Sequence, residues 1–202
     1  MLMKTLFYIS LMLLLSGCAT TYKTFTTEQF PFKELQTENP KIAYTARQGV
    51  MFNTNNFKYA KREQKEGYSL IAFKIVNKSG APINVSDFKY SCGGSTAITP
   101  ISMDEYIKEN KQKEGLYWLY LGLVSPNPFM GKQGLGKVIP VGVAPAIVNF
   151  ALAHKANKKM KQNIMLYDMT NKVIQPNDTI YGILPFKGVA NCGEIYITTP
   201  AQ

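Results

Sequence analysis

YSLIAFKIVNKSGAPINVSDFKY, residues 68–90, decides the fold. Its first ten residues set Ile71, Phe73 and Ile75 on one face, a period of two that marks a half-buried strand. Asn77-Lys78-Ser79-Gly80-Ala81-Pro82 is a turn cluster in which Gly80 can take positive φ and Pro82 fixes the exit. Ile83 and Val85 then alternate before the phase slips to Phe88 and Tyr90. Two strands joined in this way form a hairpin or a corner between two sheets. Further out, Gln175-Pro176-Asn177-Asp178 is another turn. It is followed by TIYGILPF (179–186), with Ile180, Gly182, Leu184 and Phe186 on one side, and by the strand CGEIYITT (192–199). Lys41–Tyr44 and Gly49–Phe52 read as short strands, and the charged stretch Phe57–Gly67 as a loop. Strands of this length separated by polar turns indicate an antiparallel sandwich.

FKIVNKSGAPINVSDFKY, followed much later by IQPNDTIYGILPF, resembles exported bacterial immunoglobulin-like domains. Those domains pair an N-x-S/T-x-x-P-I-x-V hairpin with a late P-x-D/E-T-x-x-G-x-L-x-F strand. Residues 68–90 and 174–199 carry the resemblance. It implies a fold and an extracytoplasmic setting, with no catalytic residues to transfer. The expected fold is mainly β, an immunoglobulin-like sandwich over residues 41–202 interrupted by a two-helix insertion at about 103–167.

Within that insertion, Ser102-Met103-Asp104-Glu105 matches a capping box, and a helix from Met103 to about Lys113 follows. LYWLYLGLV (116–124) is almost wholly apolar and either extends that helix or forms a buried strand. Ser125-Pro126-Asn127-Pro128 breaks it. Residues 130–162 hold Gly131, Gly134, Gly136 and Gly142, then Pro145 at the first turn of a helix that runs through Ala153 to Lys161. Its basic end, with Lys155, Lys158, Lys159 and Lys161, suits the helix dipole. Three readings compete here. The helices pack on a sheet face and bury Ile147, Phe150 and Leu152; or the segment 131–161, apolar in front and basic behind, rests on anionic lipid; or it docks a protein partner. Ile147, Phe150, Leu152, Lys155, Lys158 and Lys159 are the candidate contact residues. The apolar stretch Val138–Ala153 is too short to span a bilayer and contains Pro140 and Pro145.

At the other end, Lys4 precedes Thr5–Ser16, an apolar run without charge. A positive start, about 7–15 apolar residues and small residues at the exit describe a secretory signal. Leu15-Ser16-Gly17-Cys18 resembles the lipobox of bacterial lipoproteins. The resemblance implies removal of residues 1–17, acylation of Cys18 as the mature N-terminus, and a tether over residues 18–40 with a short strand near Phe30. Two or more acyl chains hold a bilayer durably where one does not. Ala19, where lipoproteins retained in the inner membrane often have Asp, favours the outer membrane.

With Cys18 assigned to lipid, Cys92 and Cys192 remain, and an exported chain favours a disulfide between them; two buried free thiols are the alternative. The formal charge of +10 suits lipid headgroups, anionic glycans or an envelope protein as partners. Nucleic acid does not suit an exported chain. No catalytic set emerges. His154 is the one histidine, no Gly-x-Ser-x-Gly elbow occurs, and GKQGLGK lacks the Lys-Ser/Thr ending of a phosphate loop. Asp104 and Glu105 point apart on a helix, and the two cysteines lack the close spacing that tunes a redox pair. The expectation is a lipid-anchored envelope protein with a binding or structural role, without enzyme activity, cofactor or metal site. The alternative is a lipid-interacting protein.

Overall fold

A computed structural model describes residues 19–33, 35–36, 39–122, 125–126, 138–139, 143–189 and 192–199. The expected signal segment 1–17 and the expected lipidation residue Cys18 lie outside the described residues. The chain divides into two compact units, one of Lys23–Lys111 with Lys159–Gln202, the other of Met1–Tyr22 with Gln112–Lys158.

The larger unit is built on two three-stranded antiparallel sheets. In the first, β1 (Ile42–Arg47) and β9 (Thr179–Lys187) flank β2 (Tyr68–Asn77), with Tyr44 opposite Ile75 and Ile71 opposite Leu184. In the second, β10 (Ile195–Thr198) and β5 (Thr96–Ile98) flank β4 (Lys89–Cys92). The two share one core: Ile71, Phe73 and Phe186 from the first meet Tyr90, Ile195 and Ile197 from the second. The Tyr90 ring sits 5.3 Å from Phe186 and 5.8 Å from Phe73. Tyr44 ties the sheets again, its hydroxyl accepting from the Ile197 amide at 2.9 Å.

The turn after β2 is a corner. β2 is already paired on both sides, so the chain leaves the sheet, and β3 (Ile83–Asn84) pairs instead with β8 (Val173–Ile174). Asn77, fully buried, holds the corner. Its amide donates to the carbonyls of Ala81 (2.8 Å) and Ile174 (2.9 Å), and its oxygen accepts from the Ser79 amide and hydroxyl. Gly80 stays out of the left-handed region, so a side-chain amide, rather than glycine's freedom, makes the turn. The phase slip before Phe88 is a 3-10 turn at Val85–Asp87.

The fold is mixed α and β, where the sequence predicts mainly β. Gly49–Phe52, read as a strand, falls on α1 (Val50–Asn53), entered through Gly49 at φ 70°. The charged loop is α2 (Phe57–Glu66), closed by Gly67 at φ 73°. It buries Tyr59 and Glu63 alone, so no apolar stripe announces it. α3 (Met103–Asn110) begins as expected, Ser102 Oγ accepting from the Glu105 amide at 3.1 Å.

β9 has no room for a side chain at Gly182. A Cβ there would lie 2.8 Å from Met169 Cβ and 2.9 Å from the Tyr167 carbonyl. The segment 167–169 runs against β9, with the Ile183 amide donating to Tyr167 O at 2.8 Å.

Residues 23–32, part of the expected tether, are packed. Phe25 and Phe30 are buried, and Phe25 stacks on Tyr167 at 6.0 Å. Near Phe30 the chain forms a 3-10 turn, Thr27–Gln29, rather than a strand. Two asparagines pair with this segment as a neighbouring strand would. Asn56 bonds both the amide and the carbonyl of Lys23, each at 2.8 Å. Asn163 does the same to Phe25 at 3.0 and 2.9 Å.

The smaller unit contains most of α4 (Val143–Leu166), the 3-10 stretch Glu114–Gly122 and the short pair β6 (Ser125–Pro126) with β7 (Val138–Ile139). LYWLYLGLV is neither a helical extension nor a buried strand over its described part. Tyr117 is buried, while Leu116, Trp118 and Leu119 are exposed. Here too amides clamp the backbone. Asn157 takes the Gln112 amide at 2.7 Å and gives to its carbonyl, and the Gln112 side chain does the same for Thr20. Asn149 Oδ1 accepts from the Ala19 amide at 2.8 Å.

Candidate functional site

Cys92 and Cys192 are joined in a disulfide, with Cα atoms 5.4 Å apart across a sequence separation of 100. It links β4 to the turn that leads into β10. A cleft of about 820 Å³ opens beside it in the larger unit. One wall is the end of β1 with Arg47 and Gln48. The other is Cys192, Gly193 and Glu194, and Lys33 and Gln36 come from the N-terminal segment. Two hydrogen bonds set its width: Gln48 Nε2 donates to the Cys192 carbonyl at 2.6 Å, and Gln36 Nε2 to Glu194 Oε1 at 2.8 Å. Tyr196 donates to the other Glu194 oxygen at 3.0 Å.

Two lining atoms, Arg47 Nε and Gln36 Oε1, are buried and have no hydrogen-bond partner among the described residues. A buried donor or acceptor without a partner costs about 1–3 kcal/mol, which a ligand or an ordered water can recover. Lys33 and Arg47 outnumber the single carboxylate, and that carboxylate already accepts two hydrogen bonds. The cleft is therefore suited to an anionic or zwitterionic group. Its lining has no histidine, and its one cysteine is in the disulfide. No sequence signal announces this cleft, because Lys33, Arg47 and Glu194 come from three distant segments.

The candidate contact residues of α4 are only partly brought together. Ile147 is 53% exposed and Phe150 half-buried, with the Trp118 ring 5.1 Å from Phe150. Phe150 stacks on His154 at 6.3 Å, and His154 Nδ1 meets Glu114 Oε2 at 3.2 Å. Leu152, half-buried, is five positions from Ile147 and so lies roughly 140° around the helix. Lys155, Lys158 and Lys159 are all exposed. The reading in which the helix buries Ile147, Phe150 and Leu152 is corrected. Its buried positions as far as Lys158 are Ala146, Asn149, Ala153, Ala156 and Asn157, and the two asparagines clamp the backbone of Ala19 and Gln112. The sequence missed Trp118 and Val148 (54% exposed) as members of the apolar face. Of the segment 131–161, residues 131–137 and 140–142 lie outside the described residues.

A third feature is a buried carboxyl. Glu63 on α2 accepts from the Leu70 amide at 2.8 Å and from the Tyr106 hydroxyl at 2.7 Å. Burial raises its pKa from 4.5 to about 7, against the opposing pull of those two hydrogen bonds. It has the pKa of a general acid, but it is enclosed by α2, β2 and α3 and acts within the fold. Among the described residues, no group of three or more His, Cys, Asp or Glu could hold a metal ion, and no helix is long and apolar enough to cross a membrane. The chain matches no protein-family model, no curated protein sequence and no solved structure.

Proposed function

We propose that this chain is a lipid-anchored protein of the bacterial cell envelope, held by an acylated Cys18, with a binding or structural role and no catalytic activity. The observation that carries the reading is Leu15-Ser16-Gly17-Cys18 behind an uncharged apolar run and a lysine. A disulfide fits export to an oxidising compartment. Two antiparallel sheets around one core fit an immunoglobulin-like domain. The cleft with Lys33 and Arg47 is the surface for an anionic partner, a glycan or an acidic stretch of another envelope protein. Ala19 favours the outer membrane as destination.

Metabolic labelling with a palmitate analogue tests the reading. The exported chain takes the label at Cys18, and Cys18→Ser abolishes it. A product that is unlabelled and keeps residues 1–17 refutes the proposal. The lipid-interacting alternative is favoured by one observation, the exposed Ile147 and Val148 of α4.

A further inference from the structure

We propose that the smaller unit lies directly on the bilayer surface, inserting Trp118, Leu119, Ile147 and Val148 into the interfacial layer, with Lys155 and Lys158 at anionic headgroups. The proposal rests on the reading that Cys18 is acylated and adds what that anchor does to the domain. A lipid-anchored domain is usually set off by a flexible linker. Here Ala19, the residue after Cys18, is already docked, its amide bonded to Asn149 Oδ1 at 2.8 Å. The next residue is held too, Thr20 bonding Gln112 through both its amide and its carbonyl. From Ala19 onward the chain is held to its own unit.

Asn149 directly follows Val148, about 100° round the helix from it, so Ala19 is held at the axial level of the exposed Ile147 and Val148. Two positions apart on a helix is about 3 Å along its axis. The Trp118 ring lies tilted beside Phe150, one turn from Ile147, and Leu119 is 73% exposed. Trp and long aliphatic side chains are the residues that settle at the headgroup–acyl boundary. Charge completes the match. Lys155 and Lys158 lie about two to three turns beyond Ile147 and Val148 on the same side of α4, and both are exposed. Glu114 is the single carboxylate among the described residues of this unit, and it is taken up by His154. An apolar face at the axial level of the docked Ala19, with basic residues following, commits the occupant to an anionic phospholipid surface.

Trp118 is the only tryptophan in the chain, so its fluorescence reads the contact. The processed protein, purified from membranes, is reconstituted in vesicles of phosphatidylethanolamine and phosphatidylglycerol. Phospholipid brominated high on its acyl chains quenches Trp118, and quenching by aqueous iodide falls by at least about threefold relative to the protein in detergent-free buffer after enzymatic removal of its acyl chains. Ile147→Asp with Val148→Asp reverses both effects while Cys18 stays acylated and circular dichroism is unchanged. An acylated protein whose Trp118 remains open to iodide and unquenched by brominated lipid overturns the docking and leaves the anchor standing. A terminus without acyl chains in the mass spectrum overturns the anchor instead. That chain mixed with the same vesicles still decides the face: quenching supports it, and no quenching overturns it. Crosslinked dimers that shield Trp118 from iodide without lipid assign the face to a second copy and overturn the proposal.

Discussion

Replacing Glu63 with glutamine removes one ionisation from the interior and turns the structure into a pH experiment. The carboxyl is 6% exposed, and its folded pKa is about 7 against an ordinary 4.5. A raised carboxyl pKa means the folded state keeps its proton where the unfolded chain has lost it. Stability from this group is complete below about pH 4.5 and is lost as pH rises through about 7. At about 1.4 kcal/mol per pKa unit, the full loss is about 3–4 kcal/mol. The glutamine carbonyl can still accept from the Leu70 amide and the Tyr106 hydroxyl, but it cannot ionise. Urea unfolding from pH 5 to 8.5 with the disulfide intact gives the stability of both proteins, and groups common to both cancel in the difference. Wild type loses about 2–3 kcal/mol relative to Glu63→Gln between the ends of that range. Tyr106→Phe removes a donor that favours the anion, so it moves the transition to higher pH. A wild-type-minus-variant difference that stays flat to within about 0.5 kcal/mol refutes the argument, because a buried carboxyl that titrates normally has no desolvation to lose.

Gly182→Ala forces a methyl group against Met169 Cβ and the Tyr167 carbonyl. It lowers stability by about 1–3 kcal/mol in urea unfolding, and an unchanged midpoint contradicts the close approach. Non-reducing mass spectrometry finds Cys92 and Cys192 two hydrogens light and closed to alkylation, and reduction removes about 2–5 kcal/mol. Alkylation of both without reductant sinks that expectation. Asn163→Ala strips both bonds from the backbone of Phe25 and costs about 2–3 kcal/mol. Limited proteolysis then cuts near residues 20–30 faster than in wild type, and equal cleavage rates argue that the segment is held by its aromatic side chains alone.

Where a structural element follows from its own residues, the sequence was sufficient. β2 spans Tyr68–Asn77 because alternation gives each side chain a face, and α3 starts at Ser102 because a hydroxyl there meets an orphan amide three residues on. The pairing of Cys92 with Cys192 was legible for another reason: with Cys18 read as the lipidation site, these two were the remaining candidates for a bridge. Tertiary structure alone decided the rest. α2 reads as a charged loop because one of its two buried residues is Glu63, tolerable only once Tyr106 and the Leu70 amide face it. Residues 19–25 read as a tether because nothing local reveals that Asn149, Gln112, Asn56 and Asn163 will pair with their backbone. The cleft is invisible for the same cause: Lys33, Arg47 and Glu194 meet only after β1 and β10 are placed. Periodicity and capping are contests between neighbours along the chain, whereas a buried polar group is stable only if a remote partner arrives, and a linear sequence does not record which one does.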